Sequence, residues 1–193
     1  MARNKVIYDI NQITDKAFQI VNEEGEDSFS IRRLSKELNV SSMTLYNYVE
    51  NLENIKKEVV IKGFNIFYRE VFTAMNGFRI SNEEGVASAC EIIAGILYQF
   101  AVDYPGIFLL IYGRSMGGFK KDIEIRPFYK LFNQLFRRLK ISEKERDAYR
   151  IVFKLLEYVI QGILCGCLQE NKMISKEEYL SYIHLYLQRM MKI

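Results

Sequence analysis

The stretch from Phe29 to Val49, FSIRRLSKELNVSSMTLYNYV, constrains this chain more than any other. Its apolar residues fall in two short bursts at helical spacing. Ile31, Leu34 and Leu38 stand at i, i+3 and i+7, which places one stripe along a first helix of about eight residues. Ser30 precedes that helix and can accept from the open N–H groups of its first turn. Leu45 and Val49, at i and i+4, form the inward face of a second short helix. Between the two lies Asn39-Val40-Ser41. Asn39 tolerates the left-handed conformation that ends a helix, Val40 turns back toward the small core, and Ser41 caps the next helix. Two short helices joined by so tight a turn describe a helix-turn-helix. With Leu45 and Val49 turned in, Ser42, Met43, Tyr46 and Asn47 face out. Their mixture of hydroxyl, amide, apolar and aromatic groups suits the edges of base pairs.

The order SIRRLSKELNV (30–40) followed by TLYNYV (44–49) resembles the DNA-binding domain of the TetR family of bacterial transcription regulators. The T-L-Y-x-[HYF]-[VF] ending is the most specific part. The likeness in residues covers roughly positions 7–57; beyond them only length and helical organisation match. It implies an all-α protein with an N-terminal three-helix helix-turn-helix domain (1–50). A C-terminal helical domain (51–193) for effector binding and dimerisation follows. By the same resemblance the partners are double-stranded operator DNA, a small-molecule effector and a second copy of the chain, and repression is commoner than activation. Ser30 and Arg32 then sit on phosphates, and Ser41, Ser42, Met43, Thr44, Tyr46, Asn47 and Tyr48 line the groove, with Asn47 suited to adenine. The resemblance expects a phosphate-binding lysine at position 52. This chain has Leu52, with Lys56 or Lys57 one turn later in its place.

Charge alone does not announce a nucleic-acid partner. The chain carries +3, and residues 1–60 hold eight Lys and Arg against ten Asp and Glu, a net of −2. Placement carries the reading instead. Arg3 and Lys5 lie on an N-terminal arm, Arg32, Arg33 and Lys36 on the first helix of the motif, and Lys56 and Lys57 just after it, while acids cluster at Glu23–Asp27. Few phosphate contacts per subunit, and so a shallow salt dependence, follow from that distribution.

In order, the chain reads as a helix from about Val6 to Glu24, with Ile10, Ile13, Ala17, Ile20 and Val21 buried and Gly25 as its stop. After the motif a long helix runs from Leu52 to about Met75. Ser81-x-x-Glu84, Ser142-x-x-Glu145 and Ser175-x-x-Glu178 each fit a capping box and open helices over roughly 83–103, 143–170 and 176–191. Tyr104-Pro105-Gly106 reads as a turn, Ile107–Tyr112 as a short helix, and Pro127 opens another that ends near Lys140. That makes about nine helices and no strand. No apolar run approaches the ~18 residues of a bilayer span, and the N-terminus has no apolar signal core. Cys90, Cys165 and Cys167 have no framework spacing and read as reduced thiols of a cytoplasmic protein.

The helix around Ile151–Leu168 is apolar over most of its circumference, and such a helix must be covered on two sides. Val159, Gly162, Ile163 and Gly166 on it, with Tyr179, Tyr182, Ile183 and Tyr186 on the last helix, are the expected dimer face. A dimer presents two recognition helices to an operator with dyad symmetry. The alternative is an all-core helix in a larger single-chain body. An effector cavity, implied by the resemblance, draws on the large side chains of the middle of the chain. These are Phe64, Phe67, Tyr68, Tyr98 and Phe108, then Tyr112, Met116, Phe128, Phe132 and Phe153, though at helical spacing most also read as ordinary core.

Catalytic groupings are sparse. His184 is the only histidine, which removes His-based metal clusters and Ser-His-Asp arrangements, so neither metal, cofactor nor enzymatic activity is expected. Cys165-Gly-Cys167 within a helix points its thiols to different faces. The loop Gly113–Gly118 lacks the strand and Gly-Lys-Ser/Thr element of a phosphate loop. The rival to a regulator is an all-α ligand-binding or scaffold protein whose head no longer binds DNA, a reading that the acidic head and Leu52 favour.

Overall fold

The computed structural model describes residues 9–78, 80–113 and 142–191. Among them the chain is all-α, with eight α-helices. The helix expected over 127–140 lies outside the described residues.

α1 (Ile10–Glu24) opens on a capping box that sequence inspection passed over. Gln12 N–H donates to Asp9 Oδ1 at 2.8 Å, and Asp9 N–H donates to Gln12 Oε1 at 3.2 Å. The start expected near Val6 therefore moves to Ile10. That residue, at the first exposed turn, is 45% accessible and does not join the buried stripe of Ile13, Ala17, Ile20 and Val21. Gly25, at φ 81°, ends the helix by returning its N–H to Val21 O at 3.0 Å. A 3₁₀ turn (Glu26–Ser28) leads into α2 (Ile31–Glu37) and α3 (Ser42–Leu45). α4 (Leu52–Ala74), α5 (Glu83–Asp103), α6 (Pro105–Tyr112), α7 (Glu143–Gln169) and α8 (Lys176–Met191) complete the order.

Two starts differ from expectation for local reasons. Asn82, not Ser81, caps α5, because its Oδ1 accepts from Gly85 N–H at 3.0 Å. Pro105 is not part of a turn. It occupies the first turn of α6, where its missing N–H has no helical partner to lose. Ser142 keeps its full box with Glu145, and Ser175 accepts from Glu178 N–H at 3.1 Å.

The chain forms two compact units. The first holds the described residues 9–63 together with α6. Its core joins Ile13, Val21, Leu34, Leu45, Ile55 and Val59 to Ile107 and Phe108 of α6, all at most 1% exposed. α1 and α6 pack so closely that a Cβ on Gly106 would stand 2.1 Å from Val21 O. Only glycine fits there. Phe18 meets Tyr104 edge-on at 5.5 Å, and Lys62 lies over the same Phe18 ring while bonding Asp15 at 2.6 Å.

The second unit holds Phe64–Asp103 with α7 and α8. α8 packs along both α5 and α7, seating Tyr179, Ile183 and Leu187 in the core. Tyr98 O–H donates to Ile174 O at 2.6 Å, and Tyr186 O–H donates to Val152 O at 2.7 Å. His184 Nδ1 lies 2.6 Å from a Glu91 oxygen at the surface. α5 and α7 are each long and apolar enough to cross a membrane by length and composition, contrary to expectation, because isolated polar residues such as Glu91 and Gln161 do not break the apolar average. More than half of the α5 window is buried in the unit's core; the α7 window is 28% buried.

Candidate nucleic-acid interface

Local bonds shape the helix-turn-helix. Ser30 Oγ accepts from Arg33 N–H at 3.1 Å and opens α2. Asn39 adopts φ 53°, the left-handed conformation expected of it, and Val40 N–H returns to Ser35 O at 3.0 Å. Ser41 Oγ accepts from Thr44 N–H at 3.1 Å and lies 2.8 Å from Thr44 Oγ1, so these two hydroxyls close the start of α3. The two helices also share a hydroxyl bridge, which the sequence did not reveal. Ser35 is buried, donates to Arg32 O at 3.1 Å and lies 3.1 Å from Ser42 Oγ. Since Ser35 has one hydroxyl proton, Ser42 is the donor across the bridge.

α3 is a single α-turn. It continues through Tyr48 as tighter turns, with Asn47 N–H on Thr44 O at 3.1 Å and Tyr48 N–H on Leu45 O at 2.9 Å. The run Tyr-Asn-Tyr has modest helix propensity, and i to i+3 bonds suffice to carry it to the buried Val49. Met43 is 77% exposed and Tyr46 52%; Asn47 is exposed as well. Standing at i, i+3 and i+4, these three share one outward face. Ser42, Thr44 and Tyr48 are half-buried at its margins.

The surrounding cations divide in two. Arg32, Lys36 and Lys57 are exposed and form no salt bridge among the described residues. Arg33 and Lys56 are tied inward. Arg33 Nε donates to Glu24 at 3.1 Å, and its terminal nitrogens bond Glu24 and Glu37, clamping α2 to the end of α1. Those hydrogen bonds hold both carboxyls below the ordinary range and push the guanidinium further up. Lys56 bonds Glu26 at 2.9 Å and approaches Glu53 at 3.4 Å, with 14% of its side chain exposed. Lys56, expected on a phosphate, is here engaged with these two carboxylates. Leu52 is half-buried, and Lys57 is the exposed cation of that turn. Beside the motif a cleft of about 350 Å³ is bounded by Ile10, Tyr48, Val49, Asn54 and Ile55, with Glu50, Lys57 and Glu58 at its charged edge.

No protein-family model matches the chain. It is similar to YobS, an uncharacterised HTH-type transcriptional regulator of Bacillus subtilis (strain 168), with 28% identity over 96 residues. That match covers 50% of this chain and 47% of the relative. It is also similar to Rv0681, an uncharacterised HTH-type transcriptional regulator of Mycobacterium tuberculosis (strain H37Rv). There the identity is 26% over 106 residues, covering 55% of this chain and 46% of the relative. The chain thus spans a little under half the length of these relatives. Their shared description agrees with the motif built above.

The other expected sites fare unevenly. Of the cavity set, Phe64, Phe67, Tyr98 and Phe153 are buried in the second unit, and Tyr68 is half-buried there, its hydroxyl pushed up to about 12 by desolvation. Phe108 and Tyr112 belong to the first unit; Met116, Phe128 and Phe132 lie outside the described residues. Of the dimer set, Tyr179 and Ile183 are wholly buried within the chain's own second unit and are corrected to core, because their stripe of α8 faces α5 and α7. Tyr186 is half-buried, its hydroxyl on Val152 O. Tyr182 remains exposed, Val159 and Ile163 are half-exposed, and a Cβ on Gly162 or Gly166 would meet nothing within 4 Å among the described residues. Ile151 (63% exposed), Leu155 and Tyr158 (54%) extend this open apolar seam on α7 at i, i+4 and i+7. Their spacing was legible, their exposure was not. Among the described residues no three His, Cys, Asp or Glu side chains converge as metal ligands.

Proposed function

We propose that this chain is a DNA-binding transcription regulator of the TetR type, working in the cytoplasm as a homodimer on an operator with dyad symmetry. The observation that carries the reading is the outward face of Met43, Tyr46 and Asn47 on a motif whose other side is closed by core and capping bonds. Arg32, Lys36 and Lys57, exposed and outside any salt bridge among the described residues, would meet phosphates, with Ser30 at the start of α2. The similarity to two HTH-type regulators supports the same conclusion. The open seam of Ile151, Leu155, Tyr158 and Gly162 supports pairing of two chains, since an apolar helix face of this kind is stable when covered. A small effector held among the large side chains of the body biases two states of the dimer by its differential affinity for them, and repression is the outcome the resemblance favours.

The test is a mobility shift on DNA from upstream of the chain's own coding region, titrated with salt. The expected result is a saturable complex whose salt slope corresponds to few phosphates per subunit. Tyr158→Asp is expected to give monomers by light scattering and to weaken operator binding. A second reading, an all-α ligand-binding or scaffold protein with a silent head, is favoured by the capture of Arg33 and Lys56 in ion pairs. Failure of the folded dimer to shift any duplex at low salt would select it.

A further inference from the structure

The recognition segment carries no charge. From Ser41 to Val49 there is neither Arg, Lys, Asp nor Glu, and the thioether of Met43 stands 77% exposed on it. The pattern bears directly on which base pairs the tip can accept. Guanine is read in the major groove chiefly by Arg or Lys donating to O6 and N7, and the amino group of cytosine by an acidic acceptor. Neither reader is present on this face. Met43 offers no strong donor or acceptor, so covering guanine O6 and N7 or cytosine N4 with it leaves polar groups dry and unpaired. Thymine presents a C5-methyl group at the same depth, and an apolar side chain covers it without that penalty. Asn47, one turn along the same face, matches adenine N6 and N7. Tyr46, at i+3 from Met43, shares that face and is 52% exposed, a ring whose polar atom is at its far tip.

We propose that each half-site contains a short run of A·T pairs at the positions under this tip, recognised through thymine methyl groups by Met43 and Tyr46 and through adenine by Asn47. Arg32, Lys36 and Lys57 serve phosphates, which fix register without reading sequence. The proposal rests on the DNA-binding reading above and adds to it the chemistry of the site.

The experiment is selection of bound duplexes from a randomised library by the full-length protein. Affinity measurements on the selected site follow, with each thymine replaced in turn by uracil, which lacks only the methyl group. The expected result is a pair of half-sites with A·T pairs at the contacted positions. One or two thymine-to-uracil changes should each weaken binding about fourfold, the value of burying one methyl-sized apolar group. The same uracil change should cost Met43→Ala or Tyr46→Ala little, because the methyl then has nothing to pack against. Selected sites with G·C pairs under the tip, a guanine requirement that vanishes in Arg32→Ala, or uracil substitution without effect would each overturn the inference while leaving a DNA-binding protein. Selection of no duplex at all would overturn the DNA-binding reading itself.

Discussion

Lys56 Nζ lies 2.9 Å from a carboxylate oxygen of Glu26, thirty positions earlier in the chain, and binds the turn after α1 to the start of α4. Burial alone would lower the pKa of this ammonium. Its hydrogen bond to Glu26 and its attraction to Glu26 and Glu53 outweigh that penalty and leave it raised. The lysine is therefore tied into the head's own structure.

From this follows a contrast between neighbours. Lys56→Ala is expected to lower the stability of the head by about 1 kcal/mol, the scale of a partly exposed ion pair, while leaving the salt slope of DNA binding unchanged. Lys57→Ala should do the reverse, leaving stability alone and reducing the slope by about one unit. Denaturant unfolding and a salt titration of both variants check it; a slope change in Lys56→Ala would return that residue to the phosphate set.

Asn39, at φ 53°, decides whether the two short helices can turn back on one another. Asn39→Gly is expected to change stability by no more than a few tenths of a kcal/mol. Asn39→Val should cost about 1–2 kcal/mol, since a β-branched residue is strained in the left-handed region. Urea midpoints of the two variants give the comparison.

Gly106 is held against the backbone of α1, where an added Cβ would stand 2.1 Å from Val21 O and 2.7 Å from Asn22 Cα. Neither neighbour is a flexible side chain, so the helices must part. Gly106→Ala is expected to destabilise the first unit by about 1–3 kcal/mol. Proteolysis should then begin within α1 or α6, which maps the damage to that contact.

The parts of this fold that were legible in the sequence are those fixed by near neighbours. Ser30, Asn39 and Ser41 act on groups within three to five positions, and the outward turn of Met43 and Asn47 follows once Leu45 and Val49 are known to face in. What sequence reading missed involves distant partners or competing neighbours. Arg33 looked available for DNA because Glu24 is nine positions away, on another helix. Ser81 and Asn82 are both good caps, and only the geometry selects Asn82. α8 carries apolar residues on more than one side, and helical spacing cannot say which side meets the chain's own core. The spacing alone therefore allows Tyr179 and Ile183 a place on the outer face, yet both are buried.

Tyr179 and Tyr98 offer a matched pair. Their rings lie 5.2 Å apart, but Tyr98 O–H donates to Ile174 O, whereas the buried Tyr179 hydroxyl has no hydrogen-bond partner among the described residues. Tyr98→Phe is expected to cost about 1 kcal/mol, and Tyr179→Phe to be neutral or to stabilise by up to about 1 kcal/mol, because it removes a dry polar atom. Thermal unfolding of both variants tests the sign of each effect.

The union of α1 with α6 has a consequence during synthesis. A ribosome releases α1, α2 and α3 early, but the helix that covers the apolar side of α1 emerges only after the whole of α5. Until then the nascent N-terminus keeps a wet hydrophobic flank, the kind of surface that chaperones hold and that sticks to other unfinished chains. A polypeptide interrupted before Pro105 would carry every residue of the reading motif and still lack the lid that makes it firm.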